Sequence, residues 1–172
     1  MTTYQDTNTI EQRVNNLLSK MTLKEKIGQL NQKMYGWDAY RKTENGYELT
    51  DAFKEHVAKF DGMGALYGLF RADPWSNVNF FNGIAAEDSL VVTNMIQDYI
   101  KENTRLGIPV LFSEECPHGH QALDSTLFPT HIGSGASWNP ELQQQVSKQV
   151  AKELHTRGVH LGLVSTLDIA RD

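Results

Sequence analysis

Apolar residues recur every three or four positions at the start of the chain, and this spacing predicts two short helices. Ile10, Val14, Leu17, Leu18 and Met21 form the first stripe, with Thr9 and Gln12 matching a capping box. Thr22 and Glu25 repeat that start signal, and Leu23, Ile27 and Leu30 then fall on one helical face. The pattern fails from Tyr35 to Asp51, where Gly36, Asn45 and Gly46 predict a loop.

Beyond this point short apolar runs alternate with amphipathic stretches. Residues 64–70 (GALYGLF) read as a buried strand, 71–87 as a polar loop, and 88–105 as a helix with Val92, Ile96, Tyr99 and Ile100 in one stripe, stopped by Gly107. A strand is expected over 108–115 (IPVLFSEE), then a long loop through Trp138. Asn139 as cap, Pro140 in the first turn and Leu142, Val146, Val150 and Leu154 stepping by four predict the next helix, ended by Gly158. A third strand is expected over 159–166, before the chain closes on Asp168-Ile169-Ala170-Arg171-Asp172.

Strand, helix, strand, helix, strand implies parallel pairing with right-handed crossovers. A doubly wound sheet and a (β/α)8 barrel share that beginning. The loops after the strands are long and polar while the turns after the crossover helices are short, which favours the barrel, whose elaborated loops lie at the C-terminal ends of its strands. The expected fold class is therefore α/β, the N-terminal part of a (β/α)8 TIM-type barrel. About three strands are expected, too few to close a barrel that needs about 250 residues. Residues 1–60 are expected to form a helical arm and loop and 61–172 the partial barrel. An open sheet of this kind is expected to oligomerise or aggregate through its apolar edges.

Composition narrows the function classes. The 172 residues are 40% hydrophobic and 22% charged, which fits a globular domain. A net charge of −5 without a basic cluster argues against nucleic acid and anionic membranes. Neither a signal-like start nor a membrane-length apolar run is found, which predicts a cytoplasmic protein. Cys116 is the only cysteine, so no disulfide framework can form within the chain.

The densest chemistry lies in Ser113-Glu114-Glu115-Cys116-Pro117-His118-Gly119-His120-Gln121. Neighbouring strand residues point to opposite faces, so Glu114 and Glu115 cannot both enter one pocket: one should reach the mouth of the barrel and the other pack behind it. A solvated turn with two incidental acids is the alternative. Cys116, His118 and His120 suggest zinc, but the spacing is poor and no matching pair follows, so no metal or cofactor is expected. Gly133-Ser134-Gly135 lacks the lysine of a phosphate loop, and its small residues predict close passage beside a strand. Trp75 either stacks on a ligand ring or anchors its own loop, and Trp138 is expected to pack as a staple against Gln143.

LGIPVLFSEECPHGHQAL and LFPTHIGSGASWNPELQQQVSKQVAKELHTRGVHLGLVSTLDIARD together resemble the N-terminal domain of glycoside hydrolase family 3, in its β-glucosidase/β-xylosidase branch. RVNNLLSKMTLKEKIGQL resembles the family's opening helix and Met-Thr-Leu segment. The resemblance implies a retaining, exo-acting β-glycosidase that removes terminal glucose or xylose through a covalent intermediate. It places the Asp nucleophile on a later strand and the acid/base in a second domain, so no catalytic residue is expected here and the chain is expected to be an inactive N-terminal fragment. What carries over is substrate binding. Glu115, three residues before His118-Gly119, holds the position that accepts hydrogen bonds from the terminal sugar, where many members have Asp. His118 shapes the turn, Gln121 stands where many glucosidases have Arg, and Trp75 completes the expected sugar-binding set. Arg171 begins a later sugar-contacting motif. A non-catalytic half-barrel that binds carbohydrate or joins a partner chain is the competing reading.

Overall fold

A computed structural model describes residues 9–164. The two capped helices are present: α1 (Ile10–Lys20) starts on the Thr9/Gln12 box and α2 (Leu23–Gln29) on the Thr22/Glu25 box. Their apolar faces are not buried, however. Leu23, Ile27 and Leu30 are exposed, and α2 instead covers Glu25 and Gly28. The reason is a backbone contact that only glycine permits, since a Cβ at Gly28 would stand 2.2 Å from the Phe60 carbonyl oxygen. A charged clasp secures the same side, with Arg105 donating to both Glu25 carboxylate oxygens at 2.9 and 2.7 Å.

The region expected to be a loop is more ordered than its pattern suggests. A single 3-10 turn (Gly36–Asp38) leads into a hairpin of β1 (Tyr40–Thr43) and β2 (Gly46–Leu49), and then helix α3 (Asp51–Phe60), capped by Thr50. The hairpin turns on Glu44-Asn45, followed by Gly46 at φ 123°. Its alternation is short and broken by charges, which conceals a strand from pattern reading. Phe53 and Val57 of α3 are fully buried and join one hydrophobic core with Leu66, Phe112, Ile96 and Leu154, so that core extends across residue 60.

Strands β3 (Ala65–Tyr67), β4 (Leu111–Glu115) and β5 (Leu161–Leu163) form a parallel sheet in the order β3-β4-β5. Helix α4 (Ser89–Asn103) connects the first two. Helix α5 (His131–Ala136) and helix α6 (Pro140–Thr156) lie between β4 and β5. The strands are shorter than expected. Gly68 at φ 72° ends β3, and α4 stops at Asn103, ahead of Gly107 at φ 56°. Of the third strand expected over 159–166, residues 165 and 166 lie outside the described part, as does the 168–172 segment with Arg171.

Register sorts the sheet residues onto two faces. Leu66, Phe112 and Glu114 occupy the face packed against Ile96, Ile100, Val150 and Leu154, while Tyr67, Leu111, Glu115, Leu161 and Leu163 lie on the open face. One covered face and one open face are what a piece of barrel wall has: helices outside and an interior that further strands would fill. Among the described residues β5 has no strand on its outer side, and Leu161, Leu163 and Val164 there are exposed.

Two expectations for the long loop are corrected. Gly133, Ser134 and Gly135 belong to α5, and a Cβ at Gly135 would meet nothing within 4 Å, so they permit no close passage beside a strand. Trp138 is 91% exposed at φ 51° and does not act as a staple, because the turn of backbone before the Asn139 cap directs it to solvent.

Candidate functional site

The site lies where β3 and β4 end on the open face. Glu115 is the last residue of β4, and its carboxylate accepts from the Tyr67 hydroxyl and, at 3.1 Å, from Arg71 Nη1. Arg71 also donates to the Tyr67 hydroxyl oxygen and, through Nε, to Asp73 at 2.7 Å. The guanidinium is thus shared by two carboxylates and a phenol.

Electrostatics follow from this arrangement. Burial, and next the hydrogen bond to Glu115, push the Tyr67 hydroxyl up to about 12, so it remains a neutral donor. Partial burial works against the charge on Arg71, but Asp73, Tyr67 and Glu115 outweigh it and raise its pKa. Burial likewise disfavours the Asp73 charge, yet the Ser76 backbone N–H and Arg71 hold this carboxyl below its ordinary value.

Glu114 faces the opposite way and is fully buried. It accepts the Phe70 N–H at 3.1 Å and meets His120 Nε2 at 3.4 Å, with His120 itself completely enclosed. This pair ties the end of β4 to the loop carrying Arg71 and to the turn carrying His118. A retaining glycosidase needs two carboxyl groups about 5–5.5 Å apart across one bond, and carboxyls on opposite sheet faces do not meet that requirement.

His118 shapes its turn through Nδ1, 3.0 Å from the Phe128 carbonyl oxygen, while its own carbonyl accepts the Phe128 N–H at 2.7 Å. Gly119 makes the turn possible: it sits at φ 114°, and a Cβ there would lie 2.2 Å from the Thr126 carbonyl oxygen. Gln121 uses its backbone to bind the loops together, donating to the Glu115 carbonyl and accepting from Ala72, both at 3.0 Å. Its side chain is half-buried.

Cys116, His118 and His120 diverge. Cys116 is buried on the covered face, His118 faces Phe128 and His120 faces Glu114. Among the described residues no three His, Cys, Asp or Glu side chains converge on a metal position. Burial pushes the Cys116 thiol up to about 11, which opposes a role as nucleophile.

Trp75 is 55% exposed beside this cluster. Its backbone N–H is held by Asp73, and the Arg71 guanidinium lies 4.5 Å from its ring centroid. Two rings from the stretch whose pattern predicts a loop join it. Tyr35 and Trp37 stack on each other at 4.5 Å and meet Trp75 at 5.4 and 5.2 Å in steep, edge-type contacts. No motif in the sequence points to Arg71, Tyr67, Tyr35 or Trp37. The sequence offered only one signal, the alternation that places Tyr67 and Glu115 on one face once parallel register is known.

A separate cleft of about 530 Å3 runs between α6 and the loop after β4, lined by His118, Phe128, His131, Val150 and His155 among others. It does not include Glu115, Arg71 or Trp75.

The sequence profile described as the glycosyl hydrolase family 3 N terminal domain matches residues 22–172. A protein of Formosa agariphila named "Putative beta-xylosidase" is 32% identical over 164 residues, covering 95% of this chain and 20% of its own length. The "Periplasmic beta-glucosidase" of Salmonella typhimurium is 28% identical over 92% of this chain and 17% of its own. "Beta-glucosidase C" of Emericella nidulans is 26% identical over 95% of this chain and 25% of its own. The chain therefore spans about a fifth of the length of these curated relatives.

Proposed function

The chain belongs to glycosyl hydrolase family 3, and on that premise we propose that it is the sugar-recognising part of a retaining, exo-acting β-glycosidase. Its substrates on this reading are glycosides ending in β-linked glucose or xylose. The observation that carries the proposal is the Glu115 carboxylate, held at the end of a parallel strand by Tyr67 and Arg71. Both named contacts use one of its oxygens, Oε2, and the other is the acceptor assigned to sugar hydroxyls.

Recognition works by fixed geometry. Arg71 and Tyr67 orient the carboxylate before the sugar arrives, so little ordering cost falls on binding. Hydrogen bonds from a sugar hydroxyl to a charged acceptor contribute more than neutral ones. His118 supports the turn beside Glu115, Gln121 joins the two loops, and Trp75 supplies an apolar ring surface at the rim. The bond-breaking carboxylates are assigned to other segments of the protein, because Glu114 is enclosed and Glu115 is engaged in binding.

The test is Glu115→Gln in the protein as its gene encodes it. Affinity for xylose and glucose, measured by calorimetry, should fall about tenfold or more. Unchanged affinity for both sugars, with an unchanged melting temperature, removes the assignment.

A further inference from the structure

Tyr35, Trp37 and Trp75 come from two distant stretches of chain, yet they make one aromatic cluster. Trp37 anchors it: a Cβ on Gly68 would stand 2.8 Å from its ring, so Trp37 lies directly on the end of β3. Tyr35 stacks on Trp37 and Trp75 stands against both, and Tyr35 and Trp75 remain 43% and 55% exposed. Aromatic rings of this size usually bury themselves or serve a binding surface. A single guanidinium, that of Arg71, separates the Trp75 ring from the Glu115 carboxylate. The cluster is thus continuous with the sugar-binding position.

We propose that Tyr35, Trp37 and Trp75 form a stacking platform for a second, uncharged ring of the glycoside, adjoining the ring whose hydroxyls Glu115 accepts. This rests on the sugar-binding reading of Glu115. The ring class follows from two properties. The C–H bonds on one side of a pyranose or pentose are weakly positive and complement the negative face of an aromatic ring, and a flat aryl group stacks in the same way. Charge decides the rest. Glu115 and Asp73 bring two negative charges to the rim and Arg71 only one positive, already engaged by both. A ring bearing a carboxylate meets net repulsion and an occupied guanidinium, so the platform selects neutral rings.

The experiment compares ligands of one and two rings by calorimetry, in the protein as encoded. Tyr35→Ala should weaken thio-linked xylobiose and cellobiose, which resist cleavage, about threefold to tenfold and leave xylose and glucose within about twofold, and Trp75→Ala should weaken the two-ring ligands more than the one-ring ones. Trp75→Phe should restore most of the loss. Equal weakening of one-ring and two-ring ligands, or no weakening of either, overturns the platform. Melting temperatures separate lost binding from lost folding, and Tyr35→Ala keeps the question open to refutation if Trp75→Ala fails to fold. A disaccharide whose second ring is a uronic acid should bind at least about tenfold more weakly than its neutral counterpart. Equal binding overturns the neutral-ring assignment. Glu115→Gln distinguishes the two readings: if it leaves monosaccharide affinity intact, the sugar-binding assignment fails whatever the aromatic variants do.

Discussion

Glu114 and Glu115 are neighbours in the chain with opposite surroundings: Glu114 is enclosed between the Phe70 N–H at 3.1 Å and His120 at 3.4 Å, while Glu115 stands on the open face beside Arg71. Strand alternation alone separates them. The consequence is that one acid holds the loops together while the other presents its carboxylate on the open face.

Glu114→Ala should destabilise the protein by about 1–3 kcal/mol, because it leaves His120 and the Phe70 N–H enclosed without their partner. Glu114→Gln retains an acceptor and should cost clearly less. Urea unfolding of the two variants measures the difference, and an alanine effect below about 1 kcal/mol contradicts the clamp.

Gly119→Ala should cost about 2 kcal/mol or more, since φ 114° is strained for any side chain and the new Cβ would collide with the Thr126 carbonyl. The His118–Phe128 contact should be displaced with it. Thermal unfolding checks the stability, and the His118 ring signals in NMR check the displacement.

Acid should weaken the clasp between α2 and Arg105. The Arg105 hydrogen bond, and after it the Thr22 backbone, lower the Glu25 carboxyl from 4.5 to about 2. A depressed folded-state pKa means that the unfolded chain binds the proton first, so this contribution is complete above about 4.5 and disappears as pH falls towards 2. Arg105→Ala should flatten the decline in urea midpoint across that window, and an identical decline in both proteins removes the claim.

Cys116 should resist thiol reagents at pH 8 in the folded protein, because burial pushes its thiol up to about 11. It should react fully in denaturant. Ellman's reagent distinguishes the two states, and rapid labelling of the folded chain contradicts the buried position.

The amino-acid sequence by itself determined the local starts and stops and the order of strands. Thr9, Thr22 and Asn139 cap helices because a side-chain oxygen there satisfies backbone N–H groups a few residues away. The period of four from Val146 to Leu154, and Gly158 after it, marked the last helix for the same local reason. The family was legible in the residues around Glu115 and His118 and in the Trp138-Asn139-Pro140-Glu141-Leu142 run, since contiguous motifs survive in one dimension. Other features depended on distance in space. The apolar stripe of α2 predicted a buried face, but the Gly28–Phe60 approach and the Arg105 clasp turned a different side inward. No local pattern encodes that choice. The cluster around Glu115 shows the same division: the motif singles out Glu115, whereas Arg71 reaches it from 44 positions away and Tyr35 joins Trp75 across a hairpin and helix α3. Parallel pairing of β3 with β4 creates those encounters, and register is a property of two strands together.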